Sequence, residues 1–290
     1  MKIIQKRKIW FSIAIILAVA AIVSLAIWHL KFGIDFTGGS LQELSFSGNN
    51  RPSVTETQDK LADLNLGGLI VQPVGDNGMI LRFQNTEPTI HKKVLEKLGT
   101  STVEELRFDS IGPSIGSELK RKTFYAIVVS IIIILMYIAF AFRKVSRPVE
   151  SWKFGLCSVI ALGFNVLVVL GAFSVLGKFA DMEINAPFIA ALLTILGYTI
   201  NDTIVVFDRV RENLPKSELD FEGTVNMSIN QTLVRSINTS STVILVLIAI
   251  FLFGGASIKD FTLAMAIGVF VGTWSSIFLA SPLLLLFEKK

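Results

Sequence analysis

The chain reads as a multi-pass α-helical membrane protein with six transmembrane helices and one ferredoxin-like α+β domain of order βαββαβ. Three observations lead there. Hydrophobic residues make up 52% of the 290 and charged residues 17%, where an ordinary soluble domain carries about 25% charged residues. Six segments stay apolar for about 20 residues, the length that crosses a bilayer as a helix. The single long interruption, near residues 31–120, shows strand and short-helix periodicities instead.

The first segment, near 9–30, follows the basic start MKIIQKRKIW. It is longer than a signal-peptide core and no small-residue cleavage site follows it, so it reads as an uncleaved span. The others fall near 121–142, 153–176, 186–207, 230–253 and 261–287. Lys and Arg in the short connections set the expected orientation. Lys2, Lys6, Arg7 and Lys8 lie at the start, and Arg143, Lys144, Arg147 and Lys153 follow the second span. Arg209, Arg211 and Lys216 follow the fourth, and Lys289 and Lys290 end the chain. The opposite connections hold only Lys178 and Lys259. Both termini are therefore expected in the cytoplasm and the long interruption outside. Residues 1–30 form the N-terminus and first helix, 31–120 the external domain, and 121–290 a five-helix membrane domain.

Within the external domain, Leu41–Phe46 alternates as a half-buried strand. Ser53-Val-Thr-Glu56 is a capping box opening a helix to about Asn65. Leu69–Val74 and Met79–Phe83 read as a hairpin around Gly75-Asp-Asn-Gly78. Pro88–Leu98 reads as a second helix stopped by Gly99, and Thr102–Phe108 as the last strand.

The fourth apolar segment carries the unusual chemistry, with Asn201 and Asp202 inside it. A carboxylate at membrane depth costs several kcal/mol unless it is paired, protonated or wet, so it marks a functional site. In the fifth segment Arg235, Asn238 and Thr242 share a helical face, and Arg235 lies at a depth that matches Asp202. The spacing allows an Asp202–Arg235 pair. Two readings stay open: proton or sodium coupling through Asp202, Arg235, Asn201 and Asn238, or a static cluster that holds helices together. Asp208, Arg209, Arg211 and Glu212 read as membrane-interface charges. Asn165, Ser275 and Ser276 read as helix-packing residues.

Two glycine-bearing segments flank the external domain. Asp35, Thr37, Gly38 and Gly39 follow the first span, and Gly112, Pro113 and Gly116 precede the second. Both read as hinges, or as turns that launch the neighbouring elements. Cys157 is a buried small residue, with no disulfide or thiolate metal framework around it. His29 and His91 are too far apart for a metal motif. There is no Walker A, Gly-x-Ser-x-Gly or His-Glu-x-x-His motif. No catalysis, cofactor or metal is expected, and the net charge of +4 suits anionic membrane lipids rather than nucleic acid.

These motifs resemble the SecD/SecF family of protein-export membrane proteins, in the resistance-nodulation-division superfamily. The resemblance rests on Gly33-Ile-Asp-Phe-Thr-Gly-Gly39, Ile111-Gly-Pro-Ser-Ile-Gly116, Gly197–Asn213, Thr232–Ser240, Phe251–Gly255 and Gly272–Phe278. It covers essentially the whole chain, and departs at Phe207, where relatives often carry a small residue. The length suits a stand-alone member rather than a fused SecD–SecF. The resemblance implies a bacterial inner-membrane subunit that pairs with SecD and associates with SecYEG, YajC and translocating preproteins. It implies that a proton or sodium gradient drives preprotein release on the outer face, with Asp202 and Arg235 as coupling residues. The competing readings are a small-molecule or lipid exporter half-subunit of the same superfamily, and a structural scaffold.

Overall fold

The computed structural model describes residues 1–47, 51–99, 103–141 and 150–287. Thr102, position 142, and the basic residues Arg143, Lys144, Arg147, Lys289 and Lys290 lie outside the described residues. The chain divides into two compact units, one of Met1–Lys31 with Tyr125–Lys290 and one of Phe32–Phe124.

In order, the elements are α1 (Arg7–Trp28), a short α2 (Ile34–Thr37), β1 (Gly39–Phe46), α3 (Val54–Leu61), β2 (Ile70–Val74), β3 (Gly78–Phe83), α4 (Ile90–Leu98) and β4 (Val103–Ile111). Then come α5 (Pro113–Ala141), α6 (Ser151–Phe179), α7 (Ala186–Asn213), α8 (Phe221–Phe253), α9 (Ala256–Ser275) and the short α10 (Ser281–Leu283). Among the described residues six helices are long and apolar enough to cross a membrane, the last running Ile258–Phe287.

The smaller unit is an antiparallel sheet of order β2-β3-β1-β4 with α3 and α4 packed on it. That is the ferredoxin-like arrangement the periodicities predict. Leu44, Phe46, Val71, Met79, Leu81 and Phe83 of the sheet bury against Leu61, Ile90, Val94 and Leu98 of the helices. Each such side chain contributes about 1.5–3 kcal/mol on burial. The predicted capping box forms: Glu56 N–H donates to Ser53 Oγ at 3.2 Å, and Ser53 N–H donates to Glu56 at 2.8 Å. The Ser53 backbone N–H, and after it the Ser53 hydroxyl, hold the Glu56 carboxyl below its usual range. The first helix ends at Leu61, short of Asn65, because the chain tightens into a 3-10 turn over Ala62–Leu64 and Asn65 turns left-handed at φ 45°. Gly99 stops α4 at φ 102°. A bulge between Glu43 and Leu44 leaves Leu106 of β4 without a partner on β1.

Gly39 opens β1 at φ +123°, and a Cβ there would meet the Phe83 carbonyl oxygen at 2.7 Å. Gly39→Ala is therefore expected to destabilise this domain by about 2–3 kcal/mol. The intact variant should be nicked between residues 32 and 124 at protease levels that spare the parent. Equal resistance would refute the strain.

In the larger unit, burial separates central from peripheral helices. The apolar window of the last span is 67% buried and that of α5 only 6%. Phe154, Phe207, Val210, Val225, Ile229 and Ile277 form the main core, which Ile3 and Ile4 of the N-terminal segment join. Asn226 on α8 accepts from the backbone N–H groups of Ile3 (2.9 Å) and Ile4 (3.2 Å). Asn185 caps α7 by accepting from Phe188 N–H at 2.8 Å, and it reaches Asp260 of α9 at 3.1 Å.

Candidate functional site

The site begins with α8. Thr224, Ser228, Thr232, Ser236 and Ser240 recur every four residues and are all buried. Four-residue spacing sets them along one face of a helix, with a rise of about 6 Å between neighbours. Small hydroxyl side chains let helices approach closely, and Thr224, Ser228 and Thr232 bond back to carbonyls one turn earlier. Thr232 Oγ1 donates to the Ser228 carbonyl at 3.1 Å, and Ser228 Oγ to the Thr224 carbonyl at 2.8 Å.

Asp202 of α7 is 7% exposed and addresses Ser236 of α8 and Thr273 of α9. Its Oδ2 and the Ser236 Oγ are enclosed and lack hydrogen-bond partners, as does Asn165 Oδ1 of α6. Thr273 Oγ1 and Ser240 Oγ lie 2.5 Å apart, and Tyr198 OH is 3.4 Å from the same Ser240 oxygen. Asn165 approaches α9 at Gly272. Directly beyond Thr273 the last span widens into a π-turn over Ser276–Ala280, a device frequent at functional sites. The result is a buried carboxylate among hydroxyl groups, with more acceptor capacity than donors. Such a site suits binding a proton or a small cation.

Arg235 and Asn238 do not enter this cluster. Both are exposed, as are Asn201 and Asp208 on α7. Among the described residues no ion pair joins Asp202 to Arg235; Arg235 acts on Asp202 through charge alone. The reason is rotational. Successive helical residues point about 100° apart, so the turn that aims Ser236 at Asp202 aims Arg235 away. Thr194, Gly197, Asn201 and Asp208 of α7 form one exposed stripe, and Gln231, Arg235, Asn238 and Thr242 of α8 another.

At the end of α7 the charges pair with one another. Arg209 donates to Glu212 at 2.8 Å, Arg211 lies 3.3 Å from Asp208, and Lys216 lies 3.1 Å from Glu212. One turn on, Asn213 Nδ2 donates to Ser228 Oγ (2.8 Å) and Gln231 Oε1 (3.0 Å).

The two glycine-bearing segments of the smaller unit meet. A Cβ on Gly38 would lie 3.0 Å from Pro113 Cα, and one on Gly116 3.1 Å from the Gly38 nitrogen. Thr37 Oγ1 donates to the Gly33 carbonyl at 3.0 Å, and Ile115 N–H to the Gly112 carbonyl at 3.0 Å. Asp35 sits in the first turn of α2, beside these glycines.

Ser236, Ser240 and Thr273 are site residues that the sequence reading passes over. Their signal was present in the hydroxyl recurrence from Thr224 to Ser240.

Residues 90–290 match the family described as protein export membrane protein SecD/SecF, C-terminal. The chain is 41% identical to a protein translocase subunit SecF of Thermobaculum terrenum, across 99% of this chain and 94% of the relative. It is 37% identical to a subunit of the same name from Anaerolinea thermophila, across 100% and 94%. It is also similar to the crystal structure of SecDF, a translocon-associated membrane protein from Thermus thermophilus, with a TM-score of 0.83 and 33% identity. That match covers 98% of this chain and 38% of the longer SecDF chain.

Proposed function

The chain belongs to the SecD/SecF family of protein-export membrane proteins, and on that premise we propose that it is a Sec translocase subunit that couples an ion gradient to preprotein export. Its role is transport rather than catalysis, in the bacterial inner membrane. The observation that carries the coupling is Asp202, a buried carboxylate inside a span with an unpartnered oxygen. A charge that crosses the full membrane potential gains about 2.3 kcal/mol per 100 mV, enough to bias a conformational equilibrium. Asp202 takes up the ion, and Ser236 and Thr273 hold it.

The exposed stripes of α7 and α8 support a partner in the membrane. A guanidinium in hydrocarbon costs about 2.5–3.5 kcal/mol at the helix centre, so Arg235 calls for a polar cover. SecD supplies that cover as a second membrane half, with Asn201 and Asn238 at the seam. Asp208, Arg209, Arg211 and Glu212 sit at the cytoplasmic interface, and both termini are cytoplasmic. The ferredoxin-like domain lies outside, where it assists preproteins leaving SecYEG, with YajC as a further associate. Asp35, Thr37, Gly38, Gly39, Gly112, Pro113 and Gly116 form its hinge.

Two measurements test this reading. Copurification should recover SecD and SecYEG with the tagged chain; their absence would favour the small-molecule or lipid exporter half-subunit. Export should fall when one gradient, proton or sodium, is collapsed alone. Export that survives the loss of both would refute gradient coupling.

A further inference from the structure

We propose that the α7–α8 seam is a proton path, in which Ser236, Thr232 and Ser228 connect Asp202 to the α7–α8 turn and Asn213 anchors its end. The proposal rests on the reading of Asp202 as the coupling carboxylate and names the route by which that group exchanges its proton.

Three observations carry it. The first is the hydroxyl face of α8, which runs without an apolar interruption from Thr224 to Ser240 and is buried throughout. The second is that Ser236 breaks the self-satisfied pattern of its neighbours. It is 1% exposed, its Oγ has no partner, and it faces Asp202, whose Oδ2 is also unpartnered. Thr232 and Ser228, by contrast, donate back to their own helix. Their lone pairs remain available, because a hydroxyl accepts while it donates. The third is the end of the seam. Ser228 Oγ accepts from Asn213, which also donates to the exposed Gln231, so the buried row ends at a group in contact with solvent or headgroups.

In the opposite direction the hydroxyl row of α8 stops. Past Ser240 and its partners Tyr198 and Thr273, the same face of α8 continues with Ile244 and Leu247. Among the described residues the continuous hydroxyl row of α8 therefore leads from Asp202 toward the α7–α8 turn. Hydroxyls one turn apart, with a rise of about 6 Å, are within reach of a single bridging water. The proton moves by exchange: each oxygen accepts one proton on a lone pair and releases its own to the next acceptor. Only O–H bonds of Ser236, Thr232, Ser228 and the bridging waters form and break; each hydroxyl then rotates back to reset the row, and Asn213 Nδ2 holds the Ser228 oxygen without passing a proton.

A packing role for the same hydroxyls needs small volume, whereas a relay needs the oxygen. The variants are therefore Thr232→Val, which keeps shape and removes the hydroxyl, Ser228→Ala, and Thr232→Ser, which keeps the hydroxyl. Each is purified with SecD and reconstituted, and proton uptake under an imposed gradient is read with a lumenal pH dye, with Tm as a folding check. Thr232→Val and Ser228→Ala should each slow uptake by about tenfold or more at unchanged Tm, while Thr232→Ser matches the parent. Equal slowing by Thr232→Val and Thr232→Ser would overturn the relay in favour of packing. Parental uptake in both Thr232→Val and Ser228→Ala, with Asp202→Asn inactive, would overturn the path and leave the coupling reading intact. Parental uptake in Asp202→Asn would instead refute the coupling reading itself.

Discussion

Asp202→Asn is expected to remove gradient-driven export while the protein accumulates normally in the membrane. Asparagine preserves the volume and the polar contacts toward Ser236 and Thr273, but it takes up no proton and attracts a cation far less. One charge crossing 100 mV is worth about 2.3 kcal/mol, which is about a 50-fold bias. Without it, the gradient-stimulated part of export should fall by at least about tenfold. Stability should hold or rise, because the substitution removes a buried carboxylate with an unpartnered oxygen. Arg235→Met should also lower export, by a different route. Arg235 is exposed on the α8 stripe, so its loss should weaken copurification with SecD, which Asp202→Asn leaves intact. The measurement is export of a tagged preprotein, with both variants matched for abundance. Parental export by Asp202→Asn would refute the coupling role. SecD recovery that is equal in the two variants would refute the split between an internal site and a partner-facing stripe.

That split marks where the sequence stopped being readable. Hydropathy found all six membrane-competent helices, since 18 or more apolar residues leave little alternative. It missed their polar ends. The second span was read from 121, but α5 begins at Pro113; the fifth was read from 230, but α8 begins at Phe221, where Asp220 caps it by accepting from Gly223 N–H at 2.8 Å. Hydropathy reports what lies in lipid, whereas helix length follows caps and backbone hydrogen bonding. The strand order of the smaller unit was legible because its periodicities and turn residues agree. The Asp202 site was only half legible. Spacing shows which residues share a face, and Arg235, Asn238 and Thr242 do share one. It does not show which way that face turns. The rotation of α8 is decided by the Thr224–Ser240 row packing inward, and that row settles Arg235 on the outside. Volume decides more here than charge, so the one guanidinium of the span lies on its exposed face.

Gly272→Val should severely damage the membrane unit. α9 carries Gly268 and Gly272 four residues apart, the small-xxx-small spacing that lets helices touch. Gly268 packs on Ile195 of α7 and Gly272 on Thr199, again four residues apart, so the two helices run parallel in close register. A Cβ on Gly272 would come within 2.8 Å of Thr199 Cβ, and nearer still to its Cγ2. Both atoms belong to a β-branched side chain that is itself buried, so neither can swing aside. Valine adds two more carbons and must push α9 off α7, at a cost of about 3 kcal/mol or more. The same displacement carries Thr273 away from Asp202 and Asn165 away from its approach to α9, so the ion site opens together with the core. Gly272→Val should therefore accumulate poorly in the membrane and, in detergent, unfold several degrees below the parent, about 2–4 °C per kcal/mol for a chain of this size. Gly163→Ala provides the contrast. Nothing lies within 4 Å of a Cβ at Gly163, and alanine gains about 1 kcal/mol in helix propensity over glycine, so that variant should match or exceed the parent. If Gly272→Val melts with the parent and exports normally, α7 and α9 are not in the contact described. If it melts with the parent but loses export, the glycine serves the position of Thr273 alone, and the Asp202 site is more sensitive to α9 than the fold is.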